Sequence, residues 1–91
     1  MSTKDKIEQI LRQRFSIKRL EIVDDSHKHA GHVEAQKAKG GHYSILIISE
    51  NFEGIKLIER HRMIYEALKE IKSSIHALAI KALTIHEVPK N

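Results

Sequence analysis

Ninety-one residues, 41% apolar and 31% charged, make a single domain over residues 1–91 with one modest core, too short to hold a separate enclosed catalytic domain as well. The absence of cysteine excludes a disulfide framework, a thiolate metal site supplied by this chain alone and a cysteine nucleophile. A net charge of +4, from sixteen basic and twelve acidic side chains, permits nucleic acid or an acidic protein surface as partner without requiring either, and the seven histidines are the compositional outlier.

In chain order, Ser2 and Thr3 are N-cap candidates, Ser2 with Asp5 approximates a capping box, and Ile7, Ile10, Leu11 and Phe15 recur at helical spacing, so a first amphipathic helix is expected over about residues 4–14. Residues 18–25 alternate, Leu20 and Ile22 against Arg19 and Glu21, as a strand with one covered face. The β-branched run within His42–Ser49 reads as the central strand.

Between these strands lie the sixteen residues Ser26–Gly41, a connection long enough to point to function or disorder, and mobility is expected for it in the free chain. After Asn51-Phe52-Glu53-Gly54, a turn, a second helix is expected from about Lys56 to Glu70. Its apolar stripe reads Leu57, Ile58, His61, Ile64, Tyr65, Leu68 and Ile71, with Glu59, Arg62, Met63 and Glu66 turned away. Ser73 and Ser74 interrupt it, with a short extra helical turn near Ile71, and Ile75–Thr84 forms the last strand with His76, Leu78, Ile80 and Ala82 on one face. The implied architecture is a two-layer α/β sandwich of order α-β-β-α-(α)-β, with a three-stranded sheet covered by helices on one face. The opposite face, carrying Glu21 and Lys81, is expected to be partly wet.

The chemistry-bearing residues are mostly histidines. His27, His29 and His32 share the long connection, and in extended chain side chains two apart point the same way, so His27 and His29 could reach one ion; a solvated polar loop is the plainer alternative. An imidazole at His61, inside an apolar stripe, needs a partner, a ligand or water for its nitrogens, and a backbone carbonyl is the ordinary solution. His42 and His76, each opening a strand, read as structural. Arg60 and Arg62 flank His61, and together with Lys56, Lys69 and Lys72 they bias the second helix towards phosphate. No hydrolase nucleophile motif or glycine-rich phosphate loop is present, and a zinc hydrolase built on three of the histidines has no anchored motif behind it. The N-terminal residues lack a signal-peptide run and no stretch is long and apolar enough to span a membrane, so cytoplasm is expected, or an organelle matrix after loss of a presequence.

Taken together, residues 23–32 (Val-Asp-Asp-Ser-His-Lys-His-Ala-Gly-His), Gly41-His42-Tyr43, Ser49 with Phe52 and Gly54, Arg60-His61-Arg62-Met63-Ile64-Tyr65 and Ile75-His76-Ala77-Leu78-Ala79 resemble the BolA family, in order and over nearly the whole chain. The resemblance implies a class II KH-like α/β topology and a non-enzymatic adapter that binds a monothiol glutaredoxin. It also implies a 2Fe-2S cluster shared with that partner and glutathione, with none expected on the isolated chain. It places the ligands on His61 and a loop histidine, His29 in preference to His27 or His32. The free chain would be a monomer and the complex a heterodimer, serving iron-sulfur cluster trafficking or iron homeostasis; the alternative the family carries is a DNA-binding transcriptional regulator. A chain without cysteine would depend on its partner for thiolates, and imidazole ligands raise a cluster's potential and tie its binding to proton activity.

Overall fold

A helix N-terminus leaves four N–H groups without partners, and the Ser2 hydroxyl takes one of them, accepting from Asp5 N–H at 3.1 Å. From that cap α1 (Thr3–Arg14) presents Ile7 and Leu11, both fully buried, while Glu8 and Arg12 pair on its other side at 3.0 Å. Phe15 leaves the helix in an extended conformation and the chain enters β1 (Ile17–Asp24). In this computed structural model, which describes residues 1–26 and 40–89, β2 (Gly41–Ser49), α2 (Leu57–Ala67) and β3 (Ile75–Leu83) complete the fold, with a 3-10 segment, Lys69–Ser74, between the last two. The central connection, residues 27–39, with its expected mobility and its three histidines, lies outside the described residues.

The sheet order is β1-β2-β3, antiparallel between β1 and β2 and parallel between β2 and β3, so β2 is central as expected. Strand alternation assigns its faces. The rows Leu20–Ile47–Ala82 and Ile22–Ile45–Ile80 face the helices and form the core with Ile7, Leu11, Phe52, Ile64 and Leu68. The rows Val23–Ser44–Ala79 and Glu21–Leu46–Lys81 face away. The two-layer sandwich, with one sheet face left uncovered by the helices among the described residues, is therefore the observed architecture.

Two features of the second helix differ from expectation. It ends at Ala67 rather than near Glu70, because Leu68 leaves the helical region (φ −95°, ψ 7°) and the tighter 3-10 turns that follow bring Ile71 onto the core. Its buried face is also rotated: Arg60, Ile64, Ala67 and Leu68 point inward with Met63 beside them, while Leu57, Ile58 and Tyr65 are exposed and His61 is half-buried at the margin. Counted with Arg60, the inward positions 60, 64, 67 and 68 are an ordinary helical stripe. Hydropathy cannot find it because its first member is a cation.

That cation is buried to 5% exposure and fully partnered. Its Nε donates to the Ile55 carbonyl at 2.7 Å, and its Nη1 donates to the Ala82 carbonyl at 3.0 Å. Both Nη groups reach the Glu87 carboxylate, at 2.6 and 3.1 Å, and the guanidinium lies over the Phe52 ring. Glu87 also accepts the Thr84 N–H at 2.8 Å, closing a capping box on the turn that follows β3.

The Arg60 hydrogen bond, followed by the bond from Thr84 N–H, holds the Glu87 carboxyl at a pKa of about 2, below its ordinary 4.5. A carboxyl depressed in the folded state adds stability above its unfolded pKa and loses it as pH falls towards the folded one. Glu87→Gln is therefore expected to lower the melting temperature by roughly 5–10 °C at neutral pH. Its melting temperature should also fall less than that of the wild type between about pH 5 and about pH 2. Parallel acid melts of the two proteins would contradict this role.

Candidate functional site

The long connection leaves and rejoins the sheet at one point, and that point is built from short polar side chains and two glycines. Ser26 N–H donates to Asp24 Oδ1 at 2.9 Å, a local turn that lifts the chain off β1. The Ser26 hydroxyl accepts His42 N–H at 3.0 Å, and Asp25 N–H donates to the His42 carbonyl at 2.7 Å, so the two roots are stitched together. Ser44 Oγ donates to Asp25 Oδ2 at 2.5 Å. Gly40 has φ of +87°, and a Cβ there would stand 2.8 Å from the Ser74 carbonyl carbon. A Cβ at Gly41 would stand 2.6 Å from Ser26 Oγ and 2.8 Å from Tyr43 Oη, so both positions admit glycine alone without movement.

The parallel pairing of β2 with β3 puts the first residues of both strands at this same end of the sheet. His42 and His76 consequently meet, ring centroids 5.0 Å apart and inclined at 52°. His42 is half-buried and His76 exposed. His76 also lines a groove of about 200 Å³ between β3 and the end of α2, with Tyr65 and Lys72 on its helical side. The sequence alone reads both histidines as structural. The signal that could have joined them is that each opens a strand behind a small-residue pair, Gly40-Gly41 and Ser73-Ser74, which matters once the two strands are parallel neighbours.

The other predicted residues divide. His61 stands at the half-buried margin of α2, not in the middle of an apolar stripe. His29, the preferred loop ligand, and His27 and His32 lie outside the described residues. Of the five cations proposed to meet phosphate, Arg60 is internal and spent on Glu87, which corrects its inclusion. Arg62 pairs with Glu59 at 2.5 Å and Lys69 with Glu66 at 2.8 Å, leaving Lys56 and Lys72 without an ion pair among the described residues. No set of three or more metal-ligating side chains occurs among the described residues. The described donor set is thus one pair of imidazoles, which suits borderline metals such as iron and zinc but fills only part of a coordination sphere.

Residues 11–87 match the family described as BolA-like protein. This chain belongs to the BolA-like family. It is 35% identical over 88 residues to the DNA-binding transcriptional regulator BolA of Escherichia coli, covering 96% of this chain and 80% of that protein. It is 43% identical over 74 residues to SufE-like protein 1 of Arabidopsis thaliana, 76% of this chain but only 20% of that much longer relative. The solved BolA domain of SufE1 from the same plant superposes with a TM-score of 0.82 at 38% identity, covering 97% of this chain and 98% of that one. The α/β fold is therefore that of BolA domains. No helix among the described residues is long and apolar enough to cross a membrane.

The packing at the loop root yields a direct test. Gly40→Ala combines a left-handed φ with a backbone clash and is expected to cost about 2 kcal/mol in urea unfolding. The same substitution should shift the amide signals of His42 and His76 together, and a neutral variant with unmoved signals would contradict the tight root.

Proposed function

We propose that this protein is a non-enzymatic adapter that binds a monothiol glutaredoxin and shares a 2Fe-2S cluster with it, in iron-sulfur cluster trafficking or iron homeostasis. The observation that supports the reading most is the exposed His76 at the root of a connection that carries three more histidines, in a chain with no cysteine. Each iron of such a cluster takes two terminal ligands beyond its sulfides, and a pair of neutral imidazoles on one iron is an established set. The chain's imidazoles fit that half, and the partner's cysteine and glutathione would supply the thiolates.

The resemblance names His61 and His29 as ligands; the geometry favours His76 over His61 for the fixed ligand, because His76 is exposed at the loop root. His29 remains the loop ligand proposed, with His27 and His32 behind it. The role of this chain's own residues is then to hold one imidazole rigidly on β3 and to bring the second from the connection anchored by Ser26 and Gly40–Gly41. When bound, the cluster would supply a one-electron or transferable iron-sulfur centre.

Anaerobic reconstitution with a monothiol glutaredoxin and glutathione, followed by visible circular dichroism, tests the proposal. The wild-type complex should differ from the glutaredoxin's own cluster, and His76→Ala and His29→Ala should each change the spectrum more than His61→Ala does. Identical spectra for the wild type and all three variants would refute cluster sharing, and a change confined to His61→Ala would restore the helix ligand.

A second reading, a DNA-binding regulator, is favoured by the likeness to the DNA-binding transcriptional regulator BolA of Escherichia coli. The cations left for it are Lys56, Arg62, Lys69 and Lys72, two of them already facing acids. On this reading duplex DNA binding weakens steeply between about 50 and 200 mM salt, and Lys56→Ala with Lys72→Ala reduces the slope by about two. Salt-independent retention, or none, in a gel shift would dismiss it.

A further inference from the structure

The helices cover one face of the sheet, and the other face carries a shallow groove of about 300 Å³ along the strands. Its floor is Leu46 and Ser44 on the central strand, with Val23, half exposed, on β1 and Ala79, exposed, on β3. Towards one end the face is already closed, since Val88 and Pro89 lie beside Ile48, which is 4% exposed. Among the described residues the open part is two rows, Val23–Ser44–Ala79, with Asp25 bonded to Ser44 at its margin, and Glu21–Leu46–Lys81.

The second row has an order that selects a partner. An acid stands on β1, a leucine on β2 and a base on β3, with Glu21 and Lys81 on opposite edges, about 10 Å apart across two strand spacings. A second copy rotated about a twofold axis parallel to the strands places its β1 over the first copy's β3. Leu46 then meets Leu46, Val23 meets Ala79, and each Glu21 meets the Lys81 of the other copy. A twofold axis across the strands would instead stack like edges on like edges and bring the acids together. Face-to-face sheets pack with strands inclined by about 30°, which the strand-parallel axis accommodates.

We propose that this uncovered face is the interface of a weak symmetric homodimer, held by a Leu46–Leu46 centre and two Glu21–Lys81 pairs. Arg19, paired with Glu21 along β1 in the single chain, lies one row further out and shares that carboxylate with the incoming Lys81. The face is small, so the association belongs to the transient class of interface. It lies on the side of the sheet opposite α2, and it stands independently of the cluster reading.

Sedimentation velocity between about 10 µM and 1 mM, with circular dichroism as the check on folding, decides it. The wild type should dimerise with concentration, Glu21→Lys and Lys81→Glu should each weaken the dimer about tenfold because two attractions become two repulsions, and the double reversal should restore it. Leu46→Lys should abolish it. A wild type monomeric throughout, or a dimer indifferent to both single reversals, overturns the proposal. So does a Leu46→Lys variant that keeps its self-association and instead loses glutaredoxin binding, which would give the face to that partner.

Discussion

A buried guanidinium brings five N–H donors and a full charge into a region without water, and its cost is several kcal/mol unless each donor and the charge are met. Arg60 meets the charge and makes four hydrogen bonds with three separate parts of the chain: the carbonyl before α2, the carbonyl of Ala82 on β3, and the carboxylate of Glu87 in the turn beyond the sheet. The hydrogen bonds and charge of Glu87 raise the affinity of Arg60 for its proton, against desolvation. The consequence is geometric. α2 can sit on the sheet in only one rotation, with His61 at its margin and Tyr65 outside, where its hydroxyl reaches the Leu78 carbonyl at 3.4 Å. Two carbonyls on the free edge of β3 are thereby covered by side chains of α2, an arrangement that shields an edge strand from pairing with another chain.

The same rotation explains what could and could not be read in advance. The first helix, the central strand and the covered and uncovered faces follow from apolar periodicity, because Ile7, Leu11, Ile22, Ile45 and Ile47 are all apolar where the core needs them. The orientation of α2 does not follow, because exposed Leu57, Ile58 and Tyr65 look like core and buried Arg60 looks like surface. An ion pair between a buried arginine and a half-exposed acid is a tertiary fact. Its acid lies 27 residues further on, and nothing local to the helix announces it.

A related limit hid the histidine pair. Which strand lies beside which, and in which direction, is not written in the pattern of either strand, and antiparallel pairing of β2 with β3 would have sent His42 and His76 to opposite ends of the sheet. The parallel pairing requires the chain to travel back across the sheet between β2 and β3, which α2 and the 3-10 segment do. The crossover that Arg60 orients is thus the same element that delivers β3 beside β2 with Ile75 level with Gly41. By contrast, Asn51-Phe52-Glu53-Gly54 was legible as a turn, and its reason is local: Ser49 Oγ donates to the Ser16 carbonyl at 2.7 Å and accepts Asn51 N–H at 3.1 Å, while Phe52 inserts beside Phe15.

The placement of the imidazoles also bears on how a metal would be held and released. On the proposed reading a site that draws its ligands from two chains is completed only when the partner binds, so metal binding and complex formation are coupled. Thiolates from a partner would complete the coordination sphere that imidazoles alone leave open, and an imidazole ligand is open to loss by protonation as pH falls below neutrality. A chain that offers histidine and withholds cysteine is suited to joint custody of a metal centre and poorly suited to sole possession of one. Rigidity at the root, set by two glycines that admit no side chain and a serine that spans the gap, holds the first residues of β2 and β3 in place.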